Sequence, residues 1–137
     1  MRRYVEVTQE SGKEFFKNYQ SKGRIVMLNL LKFKDVADYT DLETIKPDKE
    51  ISGKEAYELY MTHTLPCIKK YGSEVLFKGN SGDFVIGPTE ENWDYVLLVA
   101  HESVETFMKF AQDKEYLKTA GHRKAALLDS RLLPIQN

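Results

Sequence analysis

A single cysteine, Cys67, in 137 residues leaves no internal disulfide and no thiolate-rich zinc site. Nothing here asks for an oxidising compartment, and a cytoplasmic location is expected. Four prolines and eight glycines are too few for a linker or a low-complexity tract, and no segment repeats. The longest apolar runs, around residues 25–31 and 96–100, fall short of the roughly 20 residues that span a bilayer, so no membrane partner is expected. An excess of one charge is also missing. Twenty Lys and Arg against 21 Asp and Glu give −1, which declares no basic face for nucleic acid. Met1, Arg2 and Arg3 open like a signal peptide, but residues 4–18 alternate apolar with charged residues and supply no hydrophobic stretch. What is present, 42% apolar and 30% charged residues, is the composition of one folded globular domain.

Residues 1–23 read as an N-terminal extension with a short helix, and residues 24–137 as the domain itself. Ser11 and Glu14 have capping-box spacing, Phe15, Phe16 and Tyr19 recur at helical spacing, and Gly23 suits the end of that helix. The following IVMLNLLKF is apolar on both alternating faces, which marks a central strand. Residues 34–51 carry acidic residues among lysines with no period and predict a long polar loop, mobile or closing over a site. Ser52 and Glu55 form a second capping box. The helix after it carries Ala56, Leu59, Tyr60, His63, Cys67 and Tyr71 in a stripe ended by Gly72, with Pro66 expected to kink or restart it. EVLFK (residues 74–78) and NWDYVLLVAH (92–101) read as a hairpin. Ser103 caps a broken helical stretch reaching toward Ala126, and residues 128–135 supply a last strand.

The order after the first helix is β-α-β-β-α-β, an α+β ferredoxin-like arrangement with both long helices on one face of a four-stranded antiparallel sheet. Ile25, Met27, Leu31 and Phe33 line one side of the first strand; Val26, Leu28 and Leu30 line the other. Helices cover only one side, so a second copy on the uncovered face, a homodimer, is the economical cover.

VMLNLLKF (residues 26–33), VLFKG (75–79), WDYVLLV (93–99) and DKEYLKTAGHRKAALLDSRLL (113–133) together resemble the domain of unknown function 1330 family of the dimeric α/β-barrel superfamily. The resemblance covers essentially residues 25–134. It implies a ferredoxin-like subunit pairing sheet to sheet into a barrel, with a pocket between sheet and helices for small organic molecules. The superfamily includes cofactor-free monooxygenases, isomerases, dehydratases and haem-degrading proteins, but this branch has no general activity, and fold does not supply one.

Asn29 is an amide inside an apolar strand, where an unsatisfied group would cost about 1–3 kcal/mol; it either ties strands together or orients a ligand carbonyl. His122 pairs a near-neutral acid/base with the adjacent guanidinium of Arg123, a combination suited to an organic acid or to neutralising helix-end carbonyls and Asp129. Adjacent helical residues face apart, so at most one of the two enters a pocket, and His122 is favoured. Tyr57, Tyr60 and His63 recur every three residues and either line the pocket or pack in the core. Trp93 and Tyr95 share a strand face, as pocket floor or as packing. Asp129 and Arg131 read as a structural ion pair, and Cys67 as a small hydrophobe. The three histidines lack close multi-ligand spacing and there is no phosphate loop, so neither a metal nor another cofactor is expected.

Two functions compete on these residues. One is a cofactor-independent enzyme acting on a small organic acid or carbonyl compound by proton transfer at His122, or alternatively His63. Asn29 and Arg123 would hold the substrate, and Tyr57, Tyr60 and Trp93 would shape the pocket. The other is a non-catalytic small-molecule-binding or stress-related dimer. A third reading, haem binding or degradation, rests on Asn29 and Trp93 with a histidine, the set that haem-degrading relatives use.

Overall fold

The computed structural model describes residues 2–137. Helix α1 (Gln9–Tyr19) starts earlier than the Ser11 and Glu14 spacing suggests. The Thr8 hydroxyl accepts from the Ser11 backbone N–H at 3.0 Å, and Ser11 Oγ accepts from the Thr8 N–H at 3.0 Å, so Ser11 is the third helical residue rather than the cap. Past its end, Ser21 (φ 61°) and Gly23 (φ 81°) turn the chain into β1 (Ile25–Phe33). Helix α2 (Gly53–Lys70) is capped as expected: Ser52 Oγ accepts from Glu55 N–H at 3.0 Å, and Glu55 answers on the Ser52 N–H at 2.9 Å. It runs through Pro66 without the expected restart, and Pro66 lies on its exposed side.

Strands β2 (Glu74–Asn80) and β3 (Tyr95–His101) form the hairpin. β3 begins at Tyr95 rather than Asn92; just before it the Asp94 side chain accepts from the Phe33 N–H at 2.8 Å, while the Asp94 N–H donates to Leu31 O at 2.8 Å. The return crossover is three short helices, α3 (Val104–Ala111), α4 (Lys114–Thr119) and α5 (Gly121–Ala126), leading into β4 (Leu127–Ile135). Asp113 caps α4 through the Glu115 and Tyr116 N–H groups and also accepts from Lys70 Nζ at 2.7 Å and Tyr71 Oη at 2.6 Å, tying this crossover to the end of α2. Those donors, Lys70 foremost, hold its carboxyl well below the usual carboxylate range.

The sheet order is β2-β3-β1-β4, with antiparallel neighbours throughout, which with this connectivity is the ferredoxin-like arrangement. Ile25, Met27 and Leu31 are buried against the helices; Val26, Leu28 and Leu30 point the other way. Register places Val96 and Leu98 of β3, Leu133 and Ile135 of β4 and Phe77 of β2 on that same uncovered face. Phe77 is 60% and Leu133 56% exposed there. Among the described residues no helix is long and apolar enough to cross a membrane.

Residues 34–52 form no helix or strand, as expected, but they are tied down rather than loose. Ala37 N–H donates to Ile51 O and Asp38 N–H to Ala125 O, each at 2.9 Å, and Tyr39 is buried in the core beside α2 and α5. Leu42 and Ile45 close over Gly121 so tightly that a Cβ there would meet their methyls at 2.9 and 2.8 Å.

Candidate functional site

Between α2 and the β2–β3 side of the sheet lies a cleft of about 210 Å³. Phe33 and Tyr95 form its aromatic wall, with ring centroids 6.1 Å apart, and Met61, Leu65 and Leu97 complete an apolar floor. Lys54, Glu58 and Lys78 stand at its rim, and neither lysine is within 4.0 Å of a carboxylate among the described residues. The α2 residues that reach it, Lys54, Tyr57, Glu58, Met61, Thr62 and Leu65, fall at i, i+3, i+4, i+7, i+8 and i+11, one stripe of a helix. That spacing was the available sequence signal for Lys54, Glu58, Met61 and Leu65. Lys78 and Leu97 arrive together because they are register partners across β2 and β3.

Tyr57 is the polar group set deepest in this cleft. Its side chain is only 3% exposed and packs on Phe33 (5.6 Å) and Tyr60 (5.2 Å), yet its hydroxyl has no hydrogen-bond partner among the described residues. Thr64 Oγ1 is the one fully sealed side-chain polar atom without a partner among those residues, so the Tyr57 hydroxyl, also unpartnered, is not fully sealed, and Tyr57 lines the cleft. Burial pushes its pKa up, against a smaller opposing pull from Arg123. The phenol keeps its proton at neutral pH.

The remaining candidates lie elsewhere. Tyr60 spends its hydroxyl on that of Tyr116, at 2.8 Å. Asn29 faces the helices, and its Nδ2 donates to Leu97 O at 3.2 Å and to Met27 O at 3.4 Å, the strand-tying alternative. Arg123 Nη1 donates to Val5 O at 2.6 Å and so pins the N-terminal segment; the partner of Asp129 is Arg131, at 2.6 Å, as expected of those two. The Trp93 indole donates to Glu91 at 3.1 Å, and the Arg131 guanidinium lies 5.0 Å from both the Trp93 and Tyr4 rings. Trp93 therefore packs with Arg131 while Tyr95 lines the cleft. Asn29 and Trp93 make no hydrogen bond or ring contact with each other or with a histidine among the described residues. Burial raises the Cys67 thiol pKa, which suits an inert core residue.

His122 belongs to a second cluster. Tyr39 Oη and His122 Nδ1 are 2.7 Å apart, and the exposed His63 ring lies parallel to that of His122, 6° between planes and 5.7 Å between centroids. Burial, with His63 adding to it, lowers the His122 pKa, so the imidazole is neutral at pH 7. Six residues at about 100° each put His63 about 120° from Tyr57 round α2, on the flank away from Glu58, Met61 and Leu65, so the histidine pair lies outside the cleft lining. Among the described residues no three His, Cys, Asp or Glu side chains gather as metal ligands.

A family model described as "Domain of unknown function (DUF1330)" matches residues 48–133. The crystal structure of methylated RPA0582 protein is similar over 100% of this chain and 96% of that one, at 32% identity and a TM-score of 0.88. A second, of the RPA0582 protein of unknown function from Rhodopseudomonas palustris, gives 32% identity and 0.87 over 99% and 98% of the two chains. A dimeric protein of unknown function and ferredoxin-like fold from Bacteroides fragilis is more distant: 11% identity and a TM-score of 0.45 over 83% of this chain and 96% of that one. No curated protein matches. The matched span, which takes in α2, the hairpin, the second crossover and most of β4, makes this chain a member of the DUF1330 family.

Proposed function

We propose that this protein binds a small molecule in the cleft between α2 and the sheet, and that it works as a homodimer paired through the uncovered sheet face. The observation that carries the first part is the Tyr57 hydroxyl: a buried, protonated donor without a protein partner, beside the apolar side chains of Phe33, Met61, Leu65 and Leu97. Apolar walls with a few fixed polar groups are how small-molecule sites gain affinity and orientation. A phenol whose proton is held on by burial donates a hydrogen bond rather than abstracting a proton, which favours binding over catalysis in this cleft. Native mass spectrometry of gently purified protein, paired with methyl NMR under a set of single-ring neutral and charged compounds, tests it. Either a retained extra mass or saturable shifts of the Met61, Leu65 and Leu97 methyls is expected. Neither one appearing would overturn the reading.

The pairing is supported by Val26, Leu28, Leu30, Val96 and Leu98 side by side with the exposed Phe77, Leu133 and Ile135. Specific interfaces bury about 800 Å² per partner, and a charge at the centre of such a patch would be desolvated without compensation. Light scattering after size exclusion should give twice the one-chain mass for the wild type and the one-chain mass for Leu98→Lys. A wild type that elutes as a single chain would show that this face is left open to water.

A second reading, proton transfer on a small organic acid or carbonyl compound, is favoured by one observation. His122 is neutral and fixed at Nδ1 by Tyr39, the arrangement that sets the tautomer of an acid/base histidine. Its substrate would lie on the His63 side of α2, outside the cleft.

A further inference from the structure

We infer that the cleft is built for a single-ring aromatic carboxylate, with the ring laid against Phe33 and Tyr95, the Tyr57 hydroxyl donating to one carboxylate oxygen, and Lys54 and Lys78 at the rim drawing in the anion. The inference rests on the reading of the cleft as a binding site and adds the chemistry of what enters it. Size comes first. A dry cavity of about 150 Å³ takes up benzene, so about 210 Å³ accommodates one ring with a small polar head and leaves little space for a second. Shape comes next, because Phe33 packs directly on Tyr57 (5.6 Å) and on Tyr95 (6.1 Å), so the three rings make one continuous aromatic surface that suits a planar guest by edge and offset contacts.

Charge decides the head group. The rim carries two ammonium groups, Lys54 from the first turn of α2 and Lys78 from β2, against one carboxylate, Glu58. Neither lysine is paired, so both are available to an incoming anion. At the depth of the ring the Tyr57 hydroxyl is the buried donor, and a carboxylate is a stronger acceptor for it than a neutral hydroxyl or ether. A cationic guest would meet two like charges at the entrance. A purely apolar guest would leave the Tyr57 hydroxyl without a partner and cut off from water.

The test uses benzoate, benzyl alcohol and acetate on the full chain, followed through the Met61, Leu65 and Leu97 methyl signals and by calorimetry. Benzoate should saturate those shifts with an affinity about ten-fold above benzyl alcohol, and acetate should not saturate them. Tyr57→Phe should weaken benzoate about 5- to 10-fold with an unchanged melting temperature, since the hydroxyl holds nothing in the protein. The Lys54→Ala/Lys78→Ala double variant should bring the benzoate to benzyl alcohol ratio close to one. Benzyl alcohol binding as tightly as benzoate, or a ratio untouched by the lysine changes, would overturn the carboxylate assignment while leaving the cleft a binding site. Benzoate and benzyl alcohol both failing to move the cleft methyls would overturn the assignment together with the binding reading beneath it.

Discussion

Gly53→Ala is expected to lower the stability of this protein by about 3 kcal/mol or more, although alanine is the better helix former. Gly53 is the first residue of α2, placed where the end of β1 passes the end of α5. Its N–H donates to Lys34 O at 3.0 Å, while the Lys34 N–H donates to Ala126 O at 2.8 Å, so the glycine lies directly against a backbone hydrogen bond between two other elements. A Cβ at this position would stand 2.7 Å from both Lys34 N and Ala126 O and closer still to Lys34 O. All three are backbone atoms, and none swings aside as a side chain would. Relief requires moving α2 off the sheet, which loses the Gly53 bond, or splitting the bond between Lys34 and Ala126. Overpacking costs about 1–3 kcal/mol and a stranded buried backbone group about 1–3 more, against at most about 1 kcal/mol gained from helix propensity. Thermal unfolding at fixed protein concentration should show a drop of about 10 °C or more, with Gly82→Ala as the control, because nothing lies within 4 Å of a Cβ there. Equal melting temperatures for Gly53→Ala and wild type would mean that β1, α2 and α5 do not meet as closely as described.

The same junction explains what could be read beforehand. The Ser52 and Glu55 box, the alternation of β1 and the β-α-β-β-α-β order are local patterns, and they carried through to the sheet and its helical face. Tyr39 was not legible. It is one aromatic in an aperiodic polar stretch, and its burial is decided by His122 and the α5 backbone, residues about 80 positions away. The sequence does not single out Thr8 as the cap, because Ser11 and Glu14 offer a competing box of the same spacing. Among the candidates, helical geometry separates Tyr57 from His63 by about a third of a turn, so a stripe drawn through both joins two different environments. The arithmetic of about 100° per residue was available in the sequence. What it could not supply was Phe33, Lys78 and Leu97, which reach the cleft only through sheet register, and the bare hydroxyl of Tyr57, which depends on every neighbour that does not bond to it.

Acidification from pH 6.5 toward pH 4 should destabilise the protein through His101, and His101→Asn should remove most of that slope. His101 ends β3 with its ring 3% exposed, Nδ1 2.7 Å from Ser73 Oγ and the ring against Phe107 (5.0 Å) and Phe110 (5.9 Å). Among the described residues no carboxylate pairs with it. Burial holds its pKa down to about 4, against 6.5 for a free imidazole. Between those values the unfolded chain takes up a proton that the folded chain refuses, so stability falls as pH falls and levels off below about 4, where both states are protonated. Allowing for solvent screening, the full change is about 2 kcal/mol. His122, lowered by burial in the same direction, adds to it. Asp113 acts at lower pH: its carboxyl, held down by Lys70 and Tyr71, contributes stability above the ordinary carboxylate range that is lost only as pH falls beneath it. The two effects therefore separate along the pH axis. Asparagine keeps an amide within reach of Ser73 and does not titrate, so urea unfolding of His101→Asn at pH 7, 6, 5 and 4.5 should show a flatter dependence than wild type, the remainder tracking His122. If the His101 ring proton in the folded wild type titrates near 6.5, the imidazole is solvated, and the acid sensitivity must come from elsewhere.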